Sequence, residues 1–234
     1  MKRLVLILIA ATPLLALAQN LQLHYDLRHT VAPGQNPRNF TTLYFEYWKK
    51  PPDSGRSFIK PGSFLFKTEA DLYGTGNNIG KFFLQVSQSL RFWKPRVYLA
   101  LQYSGGAGIT EPKQYSYYIS NTFSAGVEYA FQWKGAYFTS QLYLRYTSAS
   151  VNPLFTLYWW KGLLHYKMEI AGDFSIWTDK GAGGNKHVFF FAEPQLWYHL
   201  LPRLSVGTKI NTYYPENIDD LPQVAPTIAV RVNL

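Results

Sequence analysis

Apolar and polar residues alternate along most of this chain, and the alternation stops and restarts at short clusters rich in Gly, Pro and Asn. In the last such segment one phase holds Ile228, Val230, Val232 and Leu234, while the other phase is polar or small. A period of two residues is typical of a β-strand whose two faces meet different surroundings. The pattern predicts 12 strands, at residues 21–29, 39–48, 57–73, 81–92, 96–104, 117–132, 136–147, 154–160, 163–177, 187–200, 204–213 and 226–234.

The connections between these strands alternate in length. Short turns are predicted at 51–56, 94–95, 134–135, 161–162 and 201–203. Longer loops are predicted at 30–38, 74–80, 105–116, 148–153, 178–186 and 214–225. Short periplasmic turns, longer extracellular loops and an even number of strands are the pattern of outer-membrane β-barrels. The prediction is therefore an all-β fold, a single transmembrane antiparallel barrel of 12 strands.

Four predicted strands end at, or one residue before, a Trp that is followed by Lys, always on the side of the short turns. The tryptophans are Trp48, Trp93, Trp133 and Trp160. An indole is favoured where its ring touches hydrocarbon and its N–H meets water, and a neighbouring Lys extends its ammonium to the headgroups. We expect these pairs to anchor one rim of the barrel at the membrane interface.

The start of the chain predicts export. Lys2 and Arg3 precede an apolar run and a small-residue cleavage pattern, which together predict a signal peptide at residues 1–18 and a single barrel domain at 19–234. No other stretch is apolar for the roughly 18 residues that a membrane-spanning helix needs. The chain has no Cys, so disulfides and thiolate metal sites are excluded. The expected location is the bacterial outer membrane, in contact with the bilayer and lipopolysaccharide.

Composition and alternation are also compatible with a second fold, a soluble β-sandwich. Aromatic residues make up 18% of the chain, and the formal charge is +9. The basic residues are scattered and form no stripe, so we expect no nucleic-acid partner. A soluble β-sandwich would also show alternating strands, with the apolar phase packed inside. The membrane barrel is favoured by three observations: the predicted signal peptide, the Trp residues at one rim, and the many aromatic residues in the apolar phase.

The polar phase of the strands predicts what lines the lumen. Eight bases and eight acids fall in this phase, so the lumen is nearly balanced in charge rather than ringed by one sign. The bases are Arg28, Lys67, Arg91, Arg96, Arg145, Lys167, Lys209 and Arg231, and the acids are Asp26, Glu46, Glu69, Asp71, Glu128, Glu169, Asp173 and Glu193. Twelve strands enclose a narrow passage, and inward aromatic rings could stack on flat solutes. The predicted solute-binding residues are Tyr44, Glu46, Lys67, Glu69, Asp71, Arg91, Arg96, Tyr98, Glu193 and Trp197.

Signals for catalysis and metal binding are weak. Outer-membrane phospholipases use Ser and His on the lipid-facing surface, whereas His24, His165 and His199 here share the phase of the charged residues. No Ser and His pair up in the lipid phase. The acids of the last loop lack the spacing of a calcium-binding loop. We therefore expect no enzymatic activity, no cofactor and no metal.

Several segments resemble a known family. They are LQLHYDLRH at 21–29, RNFTTLYFEYW at 38–48, LRFWK at 90–94, AEPQLWY at 192–198 and LSVG at 204–207. These resemble a Bacteroidetes family that carries a numbered domain of unknown function, which is similar in turn to the nucleoside-specific, Tsx-type channels of the outer membrane. The resemblance implies a 12-stranded barrel, nucleosides as the leading solute and insertion by the barrel-assembly machinery. The insertion at 51–61 and the terminal Leu234, where such barrels commonly end in Phe, depart from this pattern.

Three functions follow for comparison. The leading hypothesis is a passive, selective outer-membrane channel for small, neutral solutes. The second is a structural or adhesive barrel whose lumen is closed by ion pairs and whose long loops bind a partner. The third is a lipid-modifying enzyme.

Overall fold

The fold is seen in a computed structural model that describes residues 18–49, 59–91, 93, 97–111, 113, 115–180, 186–214 and 223–234. The strands of this part of the chain are β1 Ala18–Asp26, β2 Phe40–Lys49, β3 Lys60–Leu72, β4 Lys81–Arg91, β5 Val97–Ile109, β6 Ser116–Trp133, β7 Ala136–Tyr146, β8 Val151–Leu163, β9 Met168–Lys180, β10 Lys186–Ala192, β11 Gln195–Leu201, β12 Leu204–Tyr214 and β13 Gln223–Asn233. A single-turn helix, α1, covers Arg28–Val31, and a 3-10 turn covers Thr75–Asn77. No helix in these ranges is long and apolar enough to cross a bilayer.

The strands form one closed antiparallel barrel. Consecutive strands pair with each other except β10 and β11, which both lie between β9 and β12, and β13 pairs with both β12 and β1, so the sheet has no free edge. Leu23 of β1, for example, lies opposite Leu43 of β2 and Val230 of β13. We call the end with residues 134–135 and 202–203 the turn end and the opposite one the loop end. The N-terminus of β1 and the C-terminus of β13 both lie at the turn end.

Segments β10 and β11 together make one crossing of the barrel wall. Ala192 lies opposite Phe174 and Gln195 opposite Ala171, so the register continues unchanged across the gap. Pro194 lacks an N–H and breaks the ladder, but its carbonyl still accepts a 3.0 Å bond from the N–H of Ile210. The barrel therefore has 12 strands, and the prediction of one strand over 187–200 is confirmed.

Burial on the two faces is the reverse of that in a water-soluble protein. On the outer face Leu23 is 51% exposed, Leu142 55% and Ile228 64%. On the inner face the polar Gln22 and Ser124 are buried. A soluble β-sandwich requires the apolar face to be packed inside, so that alternative is wrong. The outward apolar phase and the inward polar phase predicted for the first and last strands are confirmed.

Some predicted boundaries are wrong. The ladder between β8 and β9 continues to Leu163 and Met168, so the turn lies at 164–167 and not at 161–162. Leu164, His165 and Tyr166 turn the chain with φ angles of 49°, 54° and 63°. His165 and Lys167 therefore lie in this turn rather than in the inward phase of a strand. Similarly, β5 and β6 pair as far as Ile109 and Ser116, which shortens the predicted loop 105–116.

The Trp–Lys rim lies at the turn end, but its rings do not all face the membrane. Trp133 is exposed on the outer face. Trp160 lies in the inward phase, and its Nε1–H donates a 3.2 Å hydrogen bond to Glu169. Trp48 shares the inward phase of Tyr44. The prediction of four outward anchors is therefore wrong for Trp48 and Trp160, because each lies one residue out of phase with the lipid-facing set.

Tight packing of the barrel wall predicts a destabilising glycine substitution. A Cβ at Gly126 would lie 1.9 Å from the carbonyl oxygen of Leu142 and 2.7 Å from Cα of Tyr143. Both are backbone atoms, so Gly126→Ala must push β6 and β7 apart, and we expect a loss of about 1–3 kcal/mol in the free energy of unfolding. Urea unfolding in lipid vesicles, followed by tryptophan fluorescence, measures it. Gly34→Ala is the control, since a Cβ there meets no atom within 4 Å; equal stabilities of the two variants would contradict the packing.

Candidate functional site

Strand phase and register bring the predicted solute-binding residues of β2 and β3 together in the lumen. Tyr44 lies opposite Glu69, and Glu46 lies opposite Lys67. Inward residues spaced two apart on neighbouring antiparallel strands form adjacent columns, so these four side chains are neighbours. Asp71 continues the same column toward the loop end.

The lumen is crossed by a chain of ion pairs in which acids and lysines alternate. Its order is Asp71, Lys81, Glu69, Lys209, Glu193, Lys67 and Asp173, so each lysine bridges two carboxylates. Their Nζ–O distances run from 3.2 Å for Lys209 and Glu193 to 3.8 Å for Lys209 and Glu69. Lys209 and Glu193 are both 1% exposed. Charges this buried depend on each other for compensation.

Two large aromatic side chains are fully buried in this part of the lumen. Tyr44 is fully buried, and Lys67 and Lys209 lie 5.4 Å and 4.5 Å from its ring centre. Its hydroxyl donates a 2.9 Å hydrogen bond to Glu46. Trp197 is also fully buried, with Arg231 4.5 Å from its ring. We call the layer formed by Tyr44, Lys67, Glu193, Trp197 and Lys209 the waist.

A cavity of about 420 Å³ lies on the loop-end side of the waist. Three sets of side chains line it. The charged set is Lys67, Glu69, Lys81, Arg145, Asp173 and Glu193; the aromatic set is Phe83, Tyr158, Trp177, Phe191 and Tyr213; and the hydroxyl and amide set includes Gln85, Gln102, Ser104, Thr122, Thr156 and Ser175. This volume falls within the range of about 300–1,000 Å³ that small-molecule sites occupy.

Only some of the predicted solute-binding residues line the cavity. Lys67, Glu69 and Glu193 line it, while Tyr44 belongs to the waist. Arg91 lies toward the turn end, with its guanidinium 5.1 Å from the ring of Tyr98, and neither lines the cavity. Glu46, Asp71 and Trp197 do not line the cavity either, and Arg96 lies outside the described residues.

Lys81 is a cavity residue that the sequence prediction missed. It starts β4 opposite Asp71, and its Nζ lies 3.3 Å from both Glu69 and Asp71. Lys81 could have been identified as a lumen residue because it lies in the inward phase of the predicted strand 81–92. Phe83 and Tyr213 were missed in the same way.

On the turn-end side of the waist the lumen holds a buried carboxylate with neutral partners. Glu128 accepts hydrogen bonds from the hydroxyls of Ser63 at 2.8 Å and Ser89 at 3.0 Å and from the amide of Gln141 at 2.7 Å. These bonds satisfy the carboxylate within a packed layer.

The lumen contains one arrangement that resembles a catalytic triad. Ser205 Oγ lies 2.9 Å from Nδ1 of His199, whose Nε2 lies 3.4 Å from Glu169. Sequence reasoning missed this contact because it considered pairs in the lipid phase only. Ser205 is fully buried, and Glu169 also pairs with Arg231, so the hydroxyl faces no space for a substrate. In the described part of the chain, no three His, Asp or Glu side chains are grouped to hold a metal ion.

Comparison with known proteins identifies a family over the whole barrel. A family model described as a domain of unknown function (DUF5020) matches residues 18–234. A search of the curated proteins found no match.

Comparison with solved structures found other barrels at low identity. LpxR from Salmonella typhimurium is 9% identical with a TM-score of 0.47, covering 92% of this chain and 99% of that one. Omp33 of Acinetobacter baumannii is 11% identical with a TM-score of 0.44, covering 93% and 98%. Outer membrane phospholipase A from Escherichia coli is 9% identical with a TM-score of 0.47, covering 92% of each chain. The absence of enzymatic activity in this chain stays a prediction.

Proposed function

Because this chain belongs to the DUF5020 family and folds as a closed barrel with an apolar outer face, we propose that it is a selective channel for small polar solutes in the bacterial outer membrane. The observation that carries the proposal is the cavity of about 420 Å³ between the loop end and the waist. The turn end would face the periplasm and the loop end the exterior, where the barrel meets lipopolysaccharide. Insertion would require the barrel-assembly machinery.

The cavity offers two kinds of contact to a solute. Rings such as Tyr158, Trp177 and Phe191 present flat apolar surfaces, and the carboxylates of Glu69 and Glu193 accept hydrogen bonds from hydroxyl or amino groups. Nucleosides carry both a flat base and a hydroxylated ribose, so they are the first solutes to test. Passage beyond the cavity requires the waist to exchange its ion pairs for contacts with the solute, as several weak sites in series allow.

Uptake by proteoliposomes tests the proposal. We expect vesicles with the barrel to take up adenosine or uridine faster than empty vesicles. Ser104→Trp, which fills the cavity, should reduce this uptake to near the background level. The control is Ser140→Trp, because Ser140 lies in the outward phase of β7. Uptake equal to that of empty vesicles would reject the channel.

A closed structural barrel is the second candidate, and the burial of the waist favours it. Tyr44 and Trp197 are fully buried, and Lys209 and Glu193 nearly so, which is expected of a plug. Such a barrel would give no conductance in planar bilayers and no uptake of any small solute. The same vesicles therefore distinguish the two functions.

A further inference from the structure

The ion-pair chain across the lumen ends in an acid on both sides. Among the described residues it contains four carboxylates and three lysines, so its formal charge is −1. A net charge inside a narrow passage that is enclosed by protein and lipid is screened poorly and acts on any solute nearby. This excess is opposite in sign to the charge of the whole chain, which is +9.

The two end acids differ in how well they are paired. Asp71 lies 3.3 Å from Lys81 and also accepts a 2.7 Å hydrogen bond from the hydroxyl of Thr42. Asp173 has one polar partner among the described side chains, Lys67 at 3.6 Å, and Lys67 lies closer to Glu193, at 3.4 Å. Asp173 lines the cavity, whereas Asp71 does not. The less compensated carboxylate therefore faces the space that a solute would occupy.

The bases that line the cavity are already occupied. Arg145 pairs with Asp179 at 2.7 Å, and its guanidinium lies 5.8 Å from the ring of Trp177. Lys81 is shared by two carboxylates. An anionic solute would therefore have to displace an acid from its lysine or arginine. A cationic solute competes for Asp173 only with Lys67 at 3.6 Å, and Lys67 keeps its closer pair with Glu193 at 3.4 Å.

Aromatic rings that line the same cavity as Asp173 add to this preference. Tyr158 lies opposite Asp173 in the β8–β9 ladder. Trp177 is stacked on Phe189 at 5.7 Å, and Phe191 lies 4.9 Å from Tyr213. The faces of such rings attract cations, most strongly where water is excluded.

We infer that the cavity binds small organic cations, such as protonated amines on a flat or apolar body, in preference to neutral or anionic solutes. The inference rests on the cavity of the proposed channel and narrows its solute class: a protonated amine should bind more tightly than a neutral nucleoside. Asp173 binds the ammonium group, and the rings of Tyr158, Trp177 and Phe191 contact the body of the solute.

Calorimetry on the detergent-purified barrel tests the inference with three probes of similar size. We expect benzylammonium to bind about tenfold more tightly than benzyl alcohol, and benzoate to bind most weakly. Asp173→Asn should reduce the preference for benzylammonium over benzyl alcohol to less than about twofold. Glu111→Gln removes the same charge from the loop-end pair with Arg38 and should keep the preference.

Equal binding of the three probes, tighter binding of benzoate, or no binding of benzylammonium would overturn the inference. An unchanged preference in Asp173→Asn would also overturn it, provided that the variant shows the heat-dependent gel migration of a folded barrel. Binding is measured without transport, so these outcomes are independent of nucleoside uptake. A barrel that binds benzylammonium but gives no conductance would keep the cation site and reject the channel.

Discussion

Replacing Glu193 by Ala is expected to lower the free energy of unfolding by about 3–5 kcal/mol, because it removes the carboxylate that bridges two buried lysines. Glu193 lies 3.4 Å from Lys67 and 3.2 Å from Lys209, and Lys209 is 1% exposed. Without this acid, each lysine keeps a single, longer ion pair. Urea unfolding in lipid vesicles measures the loss.

The control for Glu193→Ala is Glu111→Ala, which removes the partner of Arg38 in an ion pair nearer the solvent. Ion pairs of that kind contribute about 0–1 kcal/mol. The same preparations should differ in conductance: Glu193→Ala shortens a side chain at the waist, so we expect larger bilayer currents than for wild type. If Glu193→Ala and Glu111→Ala have the same free energy of unfolding, the stability of the waist does not depend on its ion pairs.

The second large effect is expected on the outer face. Leu142 is 55% exposed and lies opposite Val127 and Phe155, near the middle of β7. In water, Leu→Arg at such a position changes stability little, whereas at the midplane of a bilayer it costs about 2–4 kcal/mol. We therefore expect Leu142→Arg to destabilise the barrel by that amount in vesicle-based unfolding.

Leu164→Arg makes the same substitution in the turn 164–167, outside the hydrocarbon layer. Leu164 is 65% exposed, and the cost there should be about 0–1 kcal/mol. If the two variants unfold at the same urea concentration, the outer face at Leu142 does not lie in acyl chains.

The strands and their phase could be predicted because each residue in a barrel wall meets either lipid or lumen, so period-two alternation survives along every strand. Segment 187–200 was predicted correctly despite Pro194, since its phase does not change there. Strand ends were less certain, as the turn at 164–167 shows. The pairing of β8 with β9 continues for three residues past Trp160, although Lys161 interrupts the outward apolar phase, and the left-handed conformation of Leu164, His165 and Tyr166 has no glycine to signal it.

The partners within the lumen could not be predicted from phase alone. Phase places Lys67 and Glu193 on the inner face, but they are 126 residues apart, and their contact follows from strand tilt and barrel closure. The same holds for Ser205, His199 and Glu169, whose contact depends on the register of three strands. At each height of the barrel, the side chains of all 12 strands share the same space. Their summed volume decides whether an inward residue borders a cavity or fills the lumen, and strand phase does not give that sum.

The central claim is that the polar face surrounds a water-accessible lumen while the apolar face contacts lipid. Because the chain has no Cys, single cysteines can be introduced without background. Intact cells that express Ser104→Cys or Leu142→Cys would be treated with a membrane-impermeant maleimide. We predict labelling of Ser104→Cys, which lines the cavity on the loop-end side of the waist, and none of Leu142→Cys. Labelling of Leu142→Cys with protection of Ser104→Cys would contradict the claim.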